Sequence, residues 1–224
     1  MVAAGSLLGV AVNREKFAFP VGRVDRYTMY PMDIEEFLLA LGEKDLVERI
    51  HTCFDHNSPM PLALHEAGHQ LYRQYLAIGG MPEVVARFID TQDYIQVQHV
   101  LETIQMDYLD DMSKYQESTN EIKKTRLTYG TIAVQLSKKN TRFQYKIIKS
   151  GARAAEYENA IEWLVSAGLL SRIYRAEQIK KPLENYKDID DFKIYLSDMG
   201  LLAAQKDIRA EDIFFMEEEL ADFK

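Results

Sequence analysis

Two short extended segments at the start of the chain, followed at once by a helical pattern, most constrain the fold. Residues 2–10 are mostly small and apolar, residues 17–24 form a second extended segment, and a helical pattern begins at Asp33. A strand-turn-helix layer of this kind normally shares its sheet with several more strands. No further strands of that sheet follow. We therefore expect residues 1–32 to be the tail of an α/β core, and the chain to be a C-terminal piece of a larger protein.

Residues 33–112 have the periodicity of a helical bundle. Asp33 suits a helix N-cap, with Glu36 as its capping-box partner. Apolar residues then recur every three or four positions, over the longest distance between Asp93 and Met112. Gly79 and Gly80 end one helix, and Pro82 suits the first position of the next. This pattern predicts antiparallel helices joined by short turns.

Between residues 113 and 200 the pattern changes to helices followed by a two-stranded ribbon. Helical runs at 120–136 and 152–167 precede two alternating segments at 171–176 and 192–197, while residues 143–149 remain unassigned. The order of these elements predicts a winged helix-turn-helix module. The expected fold class is therefore mainly α, with a helical bundle, a winged-helix module and a remnant α/β piece at the N-terminus.

Several blocks of the sequence resemble a family of bacterial and archaeal AAA-type ATPases that carry an uncharacterised C-terminal half. The blocks are GSLLGVAVNRE, FPVGRV, YPMDIEEFLLALGE, YLAIGGMPEVV and FKIYLSDMGLLAA, and the resemblance runs from about residue 5 to about residue 204. In that family the nucleotide-binding core precedes the first block. The resemblance implies that the missing core is a partner, that ATP and Mg²⁺ are cofactors of the parent, and that residues 201–224 start a truncated C-terminal domain.

The chain lacks the phosphate-binding motif of such a core. No G-x-x-x-x-G-K-[ST] occurs, so backbone amides and a lysine cannot cradle a nucleotide here. We expect no catalytic residues, no cofactor and no ATP hydrolysis in this chain alone. The resemblance implies nucleotide sensing in the parent by Ser6, at the end of the first strand, and by Arg23, after the second. In the fragment, Ser6 is expected only to cap a helix that begins at Leu7.

One motif favours a different class of protein. His65, Glu66 and His69 match H-E-x-x-H, which in zinc peptidases holds the metal between two imidazoles and activates water with the glutamate. The extended form of the motif asks for a glycine and a third histidine, where this chain has Tyr72 and Tyr75. A zinc metallopeptidase is therefore the weaker alternative, against a packing role for His65 and a surface position for His69.

The charge distribution favours nucleic acid as a partner. Residues 113–197 contain 16 Lys and Arg against 10 Asp and Glu, although the whole chain has a net charge of −8. The expected phosphate contacts are Lys146, Lys149, Arg153, Arg172, Arg175, Lys180 and Lys181. Three glutamates on the same helix, Glu156, Glu158 and Glu162, would repel a phosphate backbone. Duplex DNA binding and docking on a protein partner, including a second copy of the chain, both stay open.

The remaining composition is typical of a cytoplasmic protein. Cys53 is the single cysteine, which excludes an intrachain disulfide. No stretch approaches about eighteen uninterrupted apolar residues, the length that a membrane span needs. We therefore expect a cytoplasmic location and no membrane partner.

Overall fold

A computed structural model describes residues 23, 25, 27–114, 116, 118–138, 142–209 and 212. The fold is mainly α, with a small antiparallel sheet. The helices are α1 Ile34–Ala40, α2 Lys44–Asp55, α3 Leu62–Ile78, α4 Pro82–Thr91, α5 Tyr94–Lys114, α6 Thr119–Gly130, α7 Ile132–Leu136, α8 Tyr145–Ile148, α9 Ala154–Ser166 and α10 Met199–Gln205, and the strands are β1 Leu170–Ala176 and β2 Lys187–Leu196. In the described part of the chain, no helix is both long and apolar enough to cross a membrane.

The chain divides into two compact units. We call residues 107–197 the ribbon unit, and residues 30–106 together with residues 198–209 the helical unit. This division differs from the expected boundaries at 112 and 200. Residues 201–209, expected to start a further domain, belong to the helical unit, where Ala203 of α10 packs on Leu76 and Ala77 of α3. The apolar face of α10 explains this placement, since it needs a partner.

The helical unit begins with the predicted capping box. The amide of Glu36 donates to Asp33 Oδ1 at 2.9 Å, and the amide of Asp33 donates to Glu36 Oε2 at 3.1 Å. These two bonds satisfy amides that the first turn of α1 would otherwise leave free. Gly79 ends α3 and Pro82 starts α4, as the sequence predicts.

The ribbon unit is built around one continuous core. Phe192 of β2 stacks on Phe143 with ring centroids 5.4 Å apart, and apolar residues of α9, led by Ile161 and Leu164, close the core from the other side. The strands pair antiparallel from Leu170 opposite Leu196, with an irregularity between residues 174 and 175. As predicted, Phe192 and Ile194 point to the same buried face.

One local expectation is wrong in the ribbon unit. The helix expected over 120–136 is two helices, because the chain turns at Thr131, whose hydroxyl donates to the Thr128 carbonyl oxygen at 2.8 Å. The unassigned segment 143–149 contains the short helix α8.

Of the expected strands before residue 25, only Arg23 lies in the described part, where it is exposed. Ser6 and the segment 213–224 lie outside the described residues.

A candidate recognition surface

Helix α9 presents a carboxylate-bearing face to solvent. Its buried face carries Tyr157, Ala160, Ile161 and Leu164, which pack into the core of the ribbon unit. Its exposed face carries Glu156, Asn159 and Glu162, and the helix contains no Lys or Arg. An exposed helix that enters the major groove is normally polar and basic, because it runs close to two phosphate backbones. The exposed face of α9 is instead acidic.

The sequence predicts an exposed Arg172, but the structure buries most of its side chain. Its side chain is only 6% exposed and is paired with the carboxylates of Glu158 and Glu162 of α9. The guanidinium carbon also lies 3.7 Å from the ring centroid of Phe192, a cation-π arrangement. Its position in β1 causes this, because alternate residues of β1 point toward α9. Arg172 therefore holds β1 on α9 and is not available to a phosphate.

Glu158 is fixed from a second side by Tyr145 at the start of α8. The Tyr145 hydroxyl donates to Glu158 Oε2 at 3.0 Å. Burial, followed by this hydrogen bond, raises the pKa of Tyr145 above the ordinary value of a tyrosine, so the hydroxyl stays a donor. The carboxylate of Glu158 thus links α8, α9 and β1.

The ribbon exposes apolar side chains beside its charges. Ile173 is 55% exposed, Ile179 is 96% exposed and Ile189 is 66% exposed. Lys180 and Lys181 are also exposed, next to Ile179. Arg175 is exposed but forms an ion pair with Asp191 at 3.3 Å. The ribbon therefore mixes isoleucines with charges of both signs, where a wing that contacts DNA would be mainly basic.

The remaining expected basic residues lie before and at the start of α9. Lys146, Lys149 and Arg153 are all exposed. Lys149 lines an open cleft of about 410 Å³ together with Lys123 and Lys124 of α6. Sequence reasoning missed these two lysines as site residues, because only the fold brings α6 beside the turn before α9. Lys124 is paired with Glu121 at 2.8 Å, which leaves Lys123 and Lys149 as the exposed cations of the cleft.

The excess of Lys and Arg over Asp and Glu therefore does not lie on the helix and wing that would read DNA. Residues 113–149 contain nine Lys and Arg against two Asp and Glu. Residues 150–197, which include α9 and the ribbon, contain seven against eight. The part of the unit that would read DNA in a winged helix is slightly acidic.

The H-E-x-x-H motif lies on the surface of α3. His65, Glu66 and His69 are exposed, and the two imidazole rings are neighbours with centroids 6.2 Å apart. Within the described residues, no group of three or more His, Cys, Asp or Glu side chains is arranged to hold a metal ion. A catalytic zinc site uses three protein ligands and keeps the fourth position for water. The described part of the chain offers the two histidines without that third ligand.

Comparison with known proteins gives a family without an assigned activity. The chain belongs to the family described as Domain of unknown function (DUF8612), whose sequence model matches residues 69–212. No curated protein and no solved structure matches the chain. The matched range begins in α3 and includes the whole ribbon unit from residue 107 onward.

Proposed function

We propose that this chain is the C-terminal recognition half of an AAA-type ATPase and that residues 118–197 are a winged helix-turn-helix module. The order of elements supports the module: α6 and α7 form the first helix, α8 the second, α9 the third, and β1 with β2 the wing. The segment before α8 lies against the sheet, where the Phe143 amide donates to the Phe192 carbonyl oxygen at 2.9 Å. The ATPase parent rests on the resemblance of the sequence blocks.

The same module is proposed to dock on protein through the exposed face of the ribbon. The observation that carries this proposal is the exposure of Ile173, Ile179 and Ile189 on the ribbon. A protein interface combines an apolar centre with a polar rim, and the exposed isoleucines and the charges beside them supply both kinds of group. The acidic face of α9 supports the same choice, because it would repel a phosphate backbone. The proposed partner is the ATPase core of the parent.

The test is to titrate the chain into that core, supplied as a separate polypeptide, by calorimetry. The Ile179→Asp/Ile189→Asp variant is expected to weaken binding at least ten-fold, because it places charge in the apolar part of the contact. The Lys180→Glu/Lys181→Glu variant, altered at neighbouring positions, is the matched control, and its affinity is expected to lie within about three-fold of that of the unmodified chain. Equal binding by the unmodified chain and the isoleucine variant would contradict the proposal.

A second function, contact with duplex DNA, is favoured by the basic side chains near the start of α9. Lys123, Lys146, Lys149 and Arg153 are exposed there and are suited to phosphate contacts. If this function is correct, the chain binds labelled duplex at low salt and loses affinity steeply as salt rises. The Lys146→Glu/Lys149→Glu variant would lose that binding, whereas Lys180→Glu/Lys181→Glu would keep most of it. Absence of binding at low salt would exclude this second function.

A further inference from the structure

Three stretches of the helical unit meet at the turn between α3 and α4. The Met32 amide donates to the Gly80 carbonyl oxygen at 2.7 Å, and the Gly80 amide donates to Asp198 Oδ2 at 2.6 Å. The Tyr75 hydroxyl donates to the Met32 carbonyl oxygen at 2.9 Å. We call this set, Met32, Tyr75, Gly80, Asp198 and Gly200, the Gly80 clasp. It joins residues that are far apart in sequence through main-chain groups and through the side chains of Tyr75 and Asp198.

Close backbone approach makes the clasp specific for glycine. A Cβ atom on Gly80 would overlap the main chain of Met32, and a Cβ atom on Gly200 would overlap the carbonyl group of Ile78. Atoms at such separations must move apart, and in both cases the obstacle is main chain. The main chain of Gly80 therefore contacts that of Met32, and the main chain of Gly200 contacts that of Ile78.

Asp198 is the side chain that connects the last stretch to the turn. It is 4% exposed and also accepts from the Leu201 amide at 3.0 Å, so one carboxylate caps α10 and holds Gly80. Burial raises the pKa of Asp198 above its ordinary value, while the amides of Gly80, Leu201, Gly200 and Met81 act in the opposite direction. A buried carboxylate with these donors is expensive to leave unpaired. Its bonds to the turn and to α10 are therefore expected to break together.

The clasp also lies where the chain enters the helical unit. The unit consists of two stretches, one beginning at Tyr30 and the other at Asp198. Met32 is the third residue of the first stretch, and Asp198 is the first residue of the second. Both entry points are thus bonded to the same glycine.

We propose that the Gly80 clasp is a conformational joint, in which the segments 30–33 and 198–201 are released or held as one. A displacement of the first segment is passed to the second through Gly80. This inference deepens the proposed function, since in an ATPase parent it would connect the chain that leaves the core with the chain that leaves the ribbon unit. The joint itself is a property of this chain and is tested without a core or any partner.

The test is hydrogen exchange at single amides in the full 224-residue chain. Tyr75→Phe removes the donor to Met32, and its effect is measured on the opposite side of the joint, at the Leu201 amide. Asp198→Asn alters the other side and is measured at the Met32 amide. We expect each variant to speed exchange at the remote amide by about five-fold or more, the effect of losing a bond of roughly 1 kcal/mol. The double variant is expected to speed exchange by less than the product of the two single-variant fold-changes.

The matched control is Asp93→Asn at the start of α5. Asp93 also accepts from a backbone amide, that of Ile95 at 2.8 Å, but it takes no part in the clasp. The Asp93→Asn variant should leave the exchange rates of the Met32 and Leu201 amides unchanged. Its fold-changes and those of Tyr75→Phe should simply multiply in the double variant. The proposal is overturned if Asp198→Asn changes exchange only at the Gly80 and Leu201 amides. It is also overturned if the fold-changes of the Tyr75 and Asp198 variants multiply independently. Should Asp198→Asn fail to fold, Tyr75→Phe alone decides, because unchanged exchange at Leu201 would overturn the joint.

Discussion

The contacts that stabilise the helical unit differ from those that stabilise the ribbon unit. The helical unit buries apolar side chains such as Phe37, Ile78 and Leu101, and it is also joined at Gly80 by close main-chain contacts. The ribbon unit has one continuous core that combines rings, aliphatic side chains and the nearly buried Arg172. Main-chain contacts cannot accept added volume, whereas a side-chain core is most sensitive to lost volume. Truncation should therefore be costly in the core of the ribbon unit, and enlargement should be costly at Gly80 in the helical unit.

The largest effect is expected from truncation in the ribbon unit. Phe192→Ala removes a ring that lies against Phe143 and Tyr174 and beneath the guanidinium of Arg172. We expect the free energy of unfolding to fall by about 3–5 kcal/mol. Urea denaturation followed by circular dichroism measures it. The control Ile173→Ala, on the exposed face of the paired strand, should cost less than about 1 kcal/mol, and similar losses in both variants would contradict a single ring-centred core.

Enlargement in the helical unit is expected to come next. Gly80→Ala forces the α3–α4 turn away from Met32 and should lower the free energy of unfolding by about 3 kcal/mol. Gly130→Ala in the ribbon unit is the matched control. Nothing lies within 4 Å of a Cβ atom at Gly130, and it ends α6, so this change should be neutral or stabilising by up to about 1 kcal/mol. If urea denaturation shows Gly80→Ala to be neutral, the helical unit does not depend on close approach at the turn.

Local features of both units could be predicted from the sequence. The capping box of Asp33 and Glu36, the end of α3 at Gly79 and the start of α4 at Pro82 follow from residues a few positions apart. The inward alternation of Phe192 and Ile194 is likewise a local signal. These patterns identify elements because the physical cause, a capping bond or a buried face, lies within the element itself.

Long-range contacts could not be predicted in the same way. Gly80 and Asp198 are 118 positions apart, and no local pattern indicates that the carboxylate of one holds the amide of the other. The sequence predicts Arg172 as a phosphate contact because it is a basic residue on a predicted strand, but its burial depends on Glu158 and Glu162 of a different element. The cleft with Lys123 and Lys149 also exists only once α6 lies beside the turn before α9.

The smallest effect concerns the role of Arg172 and separates a structural arginine from a ligand-binding one. Arg172→Lys keeps the charge but loses the planar group that pairs with two glutamates and stacks on Phe192. We expect a loss of about 1–2 kcal/mol in the free energy of unfolding. Arg175→Lys, at an exposed pair with Asp191, should change it by less than about 0.5 kcal/mol. If Arg172→Lys left stability unchanged but weakened binding of duplex DNA, Arg172 would be a phosphate contact after all, and the ribbon unit would need a different account of how β1 is held on α9.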